Sequence, residues 1–148
     1  LLLMISIERA RGEDRPAIEG LLAANHLPLD GLESALATAL VARNGGALAG
    51  CAAFEPYGRF GLLRSVCVAD GLRGTGLGRQ LVAEAERLAV ESGVAEMFLL
   101  TETAADWFPS LGYVRTTRDA APPDMARSPE FTTACPVGAT VMRKRLTE

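Results

Sequence analysis

Three alternating glycines set the terms for this chain. Gly74, Gly76 and Gly78 lie inside Val66-Cys67-Val68-Ala69-Asp70-Gly71-Leu72-Arg73-Gly74-Thr75-Gly76-Leu77-Gly78-Arg79. A β-branched apolar run ends at Val68 and a polar turn follows. Leu77, Leu81, Val82, Ala85, Leu88 and Ala89 then recur at helical spacing, with Arg79, Gln80, Glu84, Glu86, Arg87 and Glu91 on the other face. Ser92-Gly93 supplies the stop. The pattern is strand, glycine loop, helix, and the loop falls where the helix's first amides lack partners. Glycines remove the Cβ atoms that would hold an anion away, the helix dipole adds partial positive charge, and Arg73 adds a full one. A phosphate or pyrophosphate suits such a cradle. The plain alternative is a tight turn with no ligand. Against it stands the helix propensity that glycines forfeit, about 1 kcal/mol each at most helical positions.

Other phosphate loops fit less well. A Walker loop ends in Gly-Lys-Ser/Thr, and the only lysine here is Lys144. The dinucleotide fingerprint needs a third small residue where this chain has Arg79, and it belongs near the start of a doubly wound sheet. The 148 residues suit one compact domain, with residues 1–3 read as an extension ahead of Met4. A net charge of −3 gives no electrostatic case for nucleic acid or an anionic membrane. The opening Leu-Leu-Leu-Met lacks the marks of a signal peptide, and no apolar run approaches the ~20 residues that span a bilayer. Cys51, Cys67 and Cys135 are odd in number and widely spaced, which predicts free thiols and a cytoplasmic setting. His26 is the sole histidine, so no metal site is expected.

Residues 4–10 predict a first strand, and Glu13-Asp14-Arg15-Pro16 opens a helix whose buried stripe is Ile18, Leu21 and Leu22. That helix fades at Asn25-His26-Leu27-Pro28; His26 is read as its C-terminal cap ahead of a substrate-side base. A short helix is weakly signalled over 29–35. Strands over 36–41 and 47–54 flank the turn Arg43-Asn44-Gly45-Gly46, and a fourth strand covers 62–68. Its helix leads to a strand over 97–100, parallel to the fourth by the right-handed crossover rule. Two closing strands are predicted over 112–117 and 137–146. Residues 118–136 form a long connection with a helical turn near 124–127, a length typical of functional covers or disorder.

Arg73, Gly76 and Gly78 fill the defined positions of Q/R-x-x-G-x-G/A, so the loop resembles the acetyl-CoA loop of the GNAT superfamily of N-acetyltransferases. Thr101-Glu102-Thr103-Ala104-Ala105-Asp106-Trp107-Phe108-Pro109-Ser110-Leu111-Gly112-Tyr113 resembles that family's second signature, with Ala104, Trp107-Phe108 and Gly112-Tyr113 in matching places. Thr101 stands where many members have asparagine. Phe108 stands where many have the tyrosine that protonates the leaving thiolate. The second motif also resembles N-acetylglutamate synthases. Glu55-Pro56-Tyr57-Gly58, Leu62-Leu63-Arg64-Ser65-Val66 and Phe131-Thr132-x-x-Cys135-Pro136 are similar to small arsenic-resistance N-acetyltransferases.

The resemblance implies an α/β (α+β) domain with a mixed, mostly antiparallel sheet, a parallel crossover from the fourth to the fifth strand, and helices on both faces. It implies acetyl-CoA as cosubstrate without a metal. The acceptor would be a small-molecule amine, an acidic amino acid or a glutamate analogue such as arsinothricin or phosphinothricin. Val66, Cys67, Val68, Arg73, Gly74, Thr75, Gly76, Leu77, Gly78, Arg79, Ala104, Trp107 and Phe108 would hold the coenzyme. A protein N-terminal or lysine acetyltransferase and a non-catalytic acetyl-CoA-binding module are the alternatives, and a homodimer is compatible with either.

Arg64 sits in an otherwise apolar strand, and a buried guanidinium costs several kcal/mol unless paired. Its partner is either an internal carboxylate, Glu55 or Glu102, or an anionic group of the acceptor, for which its fork is well shaped. Arg127 or Arg143 could add a second anion contact, and Ser65 and Thr101 are candidate hydroxyl donors. Glu55 and Glu102 are the weak candidates for a base. Cys67 and Cys135 are read as packed core thiols rather than acyl carriers, since no histidine or lysine is near in sequence.

Overall fold

The computed structural model describes residues 5–134 and 138–147. Seven strands form one sheet: β1 Ile5–Arg9, β2 Leu40–Asn44, β3 Ala47–Tyr57, β4 Phe60–Val68, β5 Glu96–Thr101, β6 Val114–Thr116 and β7 Thr140–Arg145. The helices are α1 Arg15–Ala24, α2 Leu32–Ala35, α3 Leu77–Glu91 and α4 Pro123–Ala126. The sheet order is β1-β2-β3-β4-β5-β7-β6, and β4–β5 is its parallel pair while the other five pairings are antiparallel. This is the expected mixed sheet with its crossover helix.

Strand alternation divides the core between two faces. Leu40, Ala42, Ala52, Phe54 and Leu63 point to the α3 face and pack with Leu81, Val82, Ala85 and Ala89 of that helix. Val41, Cys51 and Cys67 point the other way, under Ile18 and Leu22 of α1 and Leu32 of α2. Further along that sheet, Leu62, Phe98 and Val141 are covered by Met125 and Phe131 from the connection between β6 and β7. The described part of the long connection thus lies on the molecule as a cover.

Some expectations need correction. Residues 36–38 were expected to begin a strand, but Leu36–Thr38 is a 3-10 turn and β2 starts at Leu40. Thr38 bonds the carbonyl oxygens of Ala35 and Phe54, while Ala35 and Ala39 pack on Ala53, so alanines there pack as a turn. The sixth strand is shorter than 112–117, because Gly112, at φ +97°, ends the 3-10 turn Phe108–Leu111. Cys135, and the expected strand residue Val137, lie outside the described residues.

Candidate active site

The glycine loop takes the strand–loop–helix form that its spacing predicts. Gly76 is the N-cap of α3 at φ +88°, a left-handed conformation that costs a side-chain-bearing residue ~1–2 kcal/mol. No side chain caps this end, and the first intrahelical bond runs from Gln80 N–H to the Gly76 carbonyl at 3.1 Å. The amides of Leu77, Gly78 and Arg79 therefore precede the helical ladder. Cβ atoms built on Gly74 and Gly76 would meet nothing within 4 Å, so the approach is open. Arg73 flanks it, pairing with Asp70 at 3.4 Å and bonding Asn25 at the end of α1. Arg79 reaches Ser110 Oγ at 3.4 Å. The Thr75 hydroxyl donates to the Leu72 carbonyl at 2.6 Å.

Next to this loop the sheet opens. The β4–β5 ladder consists of Phe60↔Glu96, Gly61↔Met97 and Leu62↔Phe98. Beyond Leu62 the strands part, and Leu99, Leu100 and Thr101 keep only the pairing with β7 that runs the whole length of β5. On the other side of β4, the register with β3 slips between Cys51 and Ala53, and Ser65 takes φ +59°. Two residues of β4, Ser65 and Val66, thus oppose one of β3, a bulge that bends β4 away from β5. A serine in this conformation stores strain of the kind that collects at functional sites.

A cleft of roughly 940 Å³ joins the gap to the glycine loop. From β4 it takes Leu63 to Val68, from β5 and its turn Leu99 to Ala104, and from beyond α1 His26 to Pro28. Arg73, Gly74, Gly76, Gly78, Arg79, Trp107 and Phe108 border the same space. The Thr101 hydroxyl accepts the Ala104 N–H at 2.9 Å, which turns the chain after β5 and sets up the aromatic pair. Trp107 and Phe108 stack edge-on at 4.8 Å, and Phe108 does the same to Tyr113 at 5.6 Å. Tyr113 is buried and donates to Glu86 Oε2 at 2.8 Å; burial and the Glu86 charge push its phenol far up.

Other named residues have less to do with the cleft. Thr75 and Leu77 belong to the loop without bordering the space; Leu77 packs into the core. Arg64 has internal partners: Nη1 donates to Glu55 Oε2 at 2.8 Å, Nε to Ser65 Oγ at 3.1 Å, and Nη2 to the Pro28 carbonyl at 3.4 Å. Glu55 also accepts the hydroxyls of Tyr57 at 2.5 Å and Ser128 at 2.6 Å, and it does not border the cleft. The Tyr57 phenol is pushed up to about 12, first by burial and then by Glu55. Glu102 is exposed on the cleft wall. Arg127 pairs with Asp124, and Arg143 lies 3.4 Å from Glu96, both away from the cleft.

Cys67 is buried, with its sulfur 3.6 Å from that of Cys51, its register partner on β3. The contact with Cys67, together with burial, holds the Cys51 thiol well above its usual range.

His26 does cap α1, but by its backbone. At φ 57°, it donates its N–H to Ala23 O at 3.2 Å while Leu27 N–H reaches Leu22 O at 2.9 Å, the paired bonds of a Schellman motif. Glu130, on the cleft wall beside Arg64, was not singled out from sequence; the long connection has no periodicity to flag it. Among the described residues no helix is long and apolar enough to cross a membrane.

Comparisons with known proteins agree with this geometry. The family model described as an acetyltransferase (GNAT) domain matches residues 35–115. An amino-acid acetyltransferase from Ralstonia nicotianae is 36% identical over 95 residues, covering 63% of this chain and 21% of that protein. An uncharacterized N-acetyltransferase from Chlorobaculum tepidum is 34% identical over 92 residues, 62% of this chain and 57% of its own length. The chain thus spans between a fifth and three fifths of these curated relatives.

Among solved structures, N-acetylglutamate synthase from Neisseria gonorrhoeae, complexed with coenzyme A and N-acetyl-glutamate, superposes with a TM-score of 0.84 at 22% identity. It is covered over 36% of its length by the whole of this chain. A Mycobacterium tuberculosis protein in complex with CoA gives 0.80 at 23% identity, covering 95% of this chain and 98% of that one. These two likenesses are of fold.

Proposed function

Because this chain belongs to the GNAT acetyltransferase family, we propose that it transfers an acetyl group from acetyl-CoA to the amine of an amino acid. The observation that carries the proposal is the single cleft running from the uncapped end of α3 to the gap between β4 and β5. The amides of residues 77–79, with Arg73 and Arg79 beside them, suit a diphosphate. The edge of β4 left unpaired beyond Leu62 offers backbone groups to an amide-bearing arm, as an added strand would. Where the strands part, N–H groups of the bulged segment can polarise a thioester carbonyl.

Holding an amine beside that carbonyl supplies much of the acceleration. The acceptor's ammonium first loses a proton to water; the free amine nitrogen then bonds to the acetyl carbon and sheds its second proton to solvent, while the carbon–sulfur bond breaks and the sulfur leaves as thiolate. A thiol of pKa about 8.5 departs with little help, so Phe108 in place of a tyrosine is compatible with turnover.

For the acceptor, we favour a small acidic amino acid or a glutamate analogue carrying an arsinate or phosphinate. The support is the naming of the relatives; His26 borders the gap, whereas the Arg64 beside it is held by Glu55 and Glu130. Thiol release from acetyl-CoA, measured with amino acids, these analogues and peptides, tests the reading. Turnover with glutamate-like acceptors supports it. Turnover with peptides alone, or coenzyme binding without turnover, overturns it.

A further inference from the structure

The C-terminal end of α1 meets the glycine loop at the cleft. Ala24 to Pro28 border that space together with Arg73, Gly74 and Gly76. One side-chain bond joins the two segments: Arg73 Nη2 donates to Asn25 Oδ1, between residues 48 positions apart.

The helix end prepares Asn25 for this bond. The Asn25 N–H goes to the Leu22 carbonyl at 3.1 Å rather than to that of Leu21. The Leu21 carbonyl takes Asn25 Nδ2 instead, at 2.8 Å. With the amide nitrogen committed, Oδ1 is left as an acceptor for a cationic donor. The turn itself is held without Arg73. His26 and Leu27 close the Schellman motif, Leu27 packs against the core under α1, and the Pro28 carbonyl accepts Arg64 Nη2 at 3.4 Å.

The gain falls to Arg73. Its side chain is 64% exposed, and an untethered arginine there samples many rotamers. An amide oxygen fixes the guanidinium without cancelling its charge, unlike the Asp70 carboxylate 3.4 Å away. Both contacts use Nη2, so neither occupies Nε or Nη1. Ordering the side chain before the ligand arrives removes that entropy loss from the binding step.

We propose that Asn25 is a positioning residue for the coenzyme, holding the Arg73 guanidinium beside the start of α3 with Nε and Nη1 turned to the diphosphate. The assignment deepens the transferase reading above and rests on it.

The test is a double-mutant cycle on coenzyme A affinity, measured by calorimetry on the full chain. Arg73→Ala should weaken binding about tenfold, and Asn25→Ala about sixfold. In the Arg73→Ala background the Asn25 change should weaken binding less than about twofold, because the group it orients is gone. A change that merely loosened the end of α1 would weaken binding equally in both backgrounds. If the two Asn25 losses differ by about threefold or more, the assignment stands; a smaller difference overturns it. An Arg73→Ala variant that binds as wild type does overturns it as well. Asn25→Gly removes the same side chain at a helix end that accepts glycine, and completes the cycle if the alanine variant fails to fold. Wild-type uptake of coenzyme A with equal Asn25 losses removes Asn25 alone. A wild type that takes up no coenzyme removes the transferase reading and this assignment with it.

Discussion

The indole of Trp107 closes over Gly78: a Cβ on that glycine would lie 3.3 Å from Cζ2 of the ring and 3.6 Å from Val68 Cγ2. Gly78→Ala would gain up to about 1 kcal/mol of helix propensity and lose a similar amount to crowding. Thermal stability should therefore barely move. The added methyl narrows the cleft between helix and aromatic, so acetyl-CoA affinity should drop about tenfold by calorimetry. An unchanged affinity would mean that the coenzyme passes elsewhere.

Arg64→Met should be among the most damaging single changes. It strips the guanidinium from Glu55 and leaves two carboxylates buried side by side, a class of change that costs about 3–5 kcal/mol. Thermal melts should shift down by roughly 10–15 °C. Arg64→Met with Glu55→Gln should recover part of the loss. A melt within a few degrees of wild type would show that the cluster contributes little.

At the far edge of the sheet, Asp14 accepts Nη1 and Nη2 of Arg43 at 3.0 and 2.7 Å and the Arg11 N–H at 2.7 Å. The Arg43 bonds chiefly, against an opposing burial effect, hold its carboxyl below the usual 3.8. Stabilisation from a carboxyl depressed in the folded state is fully present above the unfolded value. It is lost as pH falls through the lower folded value. The stability gap between wild type and Asp14→Asn in urea should therefore be widest near neutrality and narrow below about pH 4. A constant gap would count against the ion pair.

Cys67 faces the buried thiol of Cys51 on β3, not a base. Cys67→Ala should keep kcat within threefold, and rapid quench should show no acyl-enzyme burst in wild type. A hundredfold loss of kcat, or a burst, would point to a covalent route.

What could be read in advance followed local rules. Strand β4, the loop and α3 announced themselves because apolar period and glycine spacing act within a few residues. The parallel β4–β5 pair followed from the handedness of crossovers. Of the partners offered for Arg64, which were Glu55, Glu102 and an acceptor anion, the fold selects Glu55, which lies just across a hairpin. The rest of that cluster depends on contacts no window spans: Ser128 reaches Glu55 across 73 positions, and Glu130 comes from a stretch without periodicity. The left-handed backbones of Ser65 and His26 were also hidden, since few non-glycine residues take that conformation, histidine more often than serine. The stretch at 36–38 misled because short apolar runs look alike in turn and strand.

The β4–β5 ladder has three rungs, so along its backbone pairing this sheet is two half-sheets meeting at a short seam. An occupant lying along β4 beyond Leu62 would carry the seam onward and stand in for the rungs that polypeptide does not supply. Such an occupant would act as the removable keystone of an arch, and the protein would be firmest with it in place.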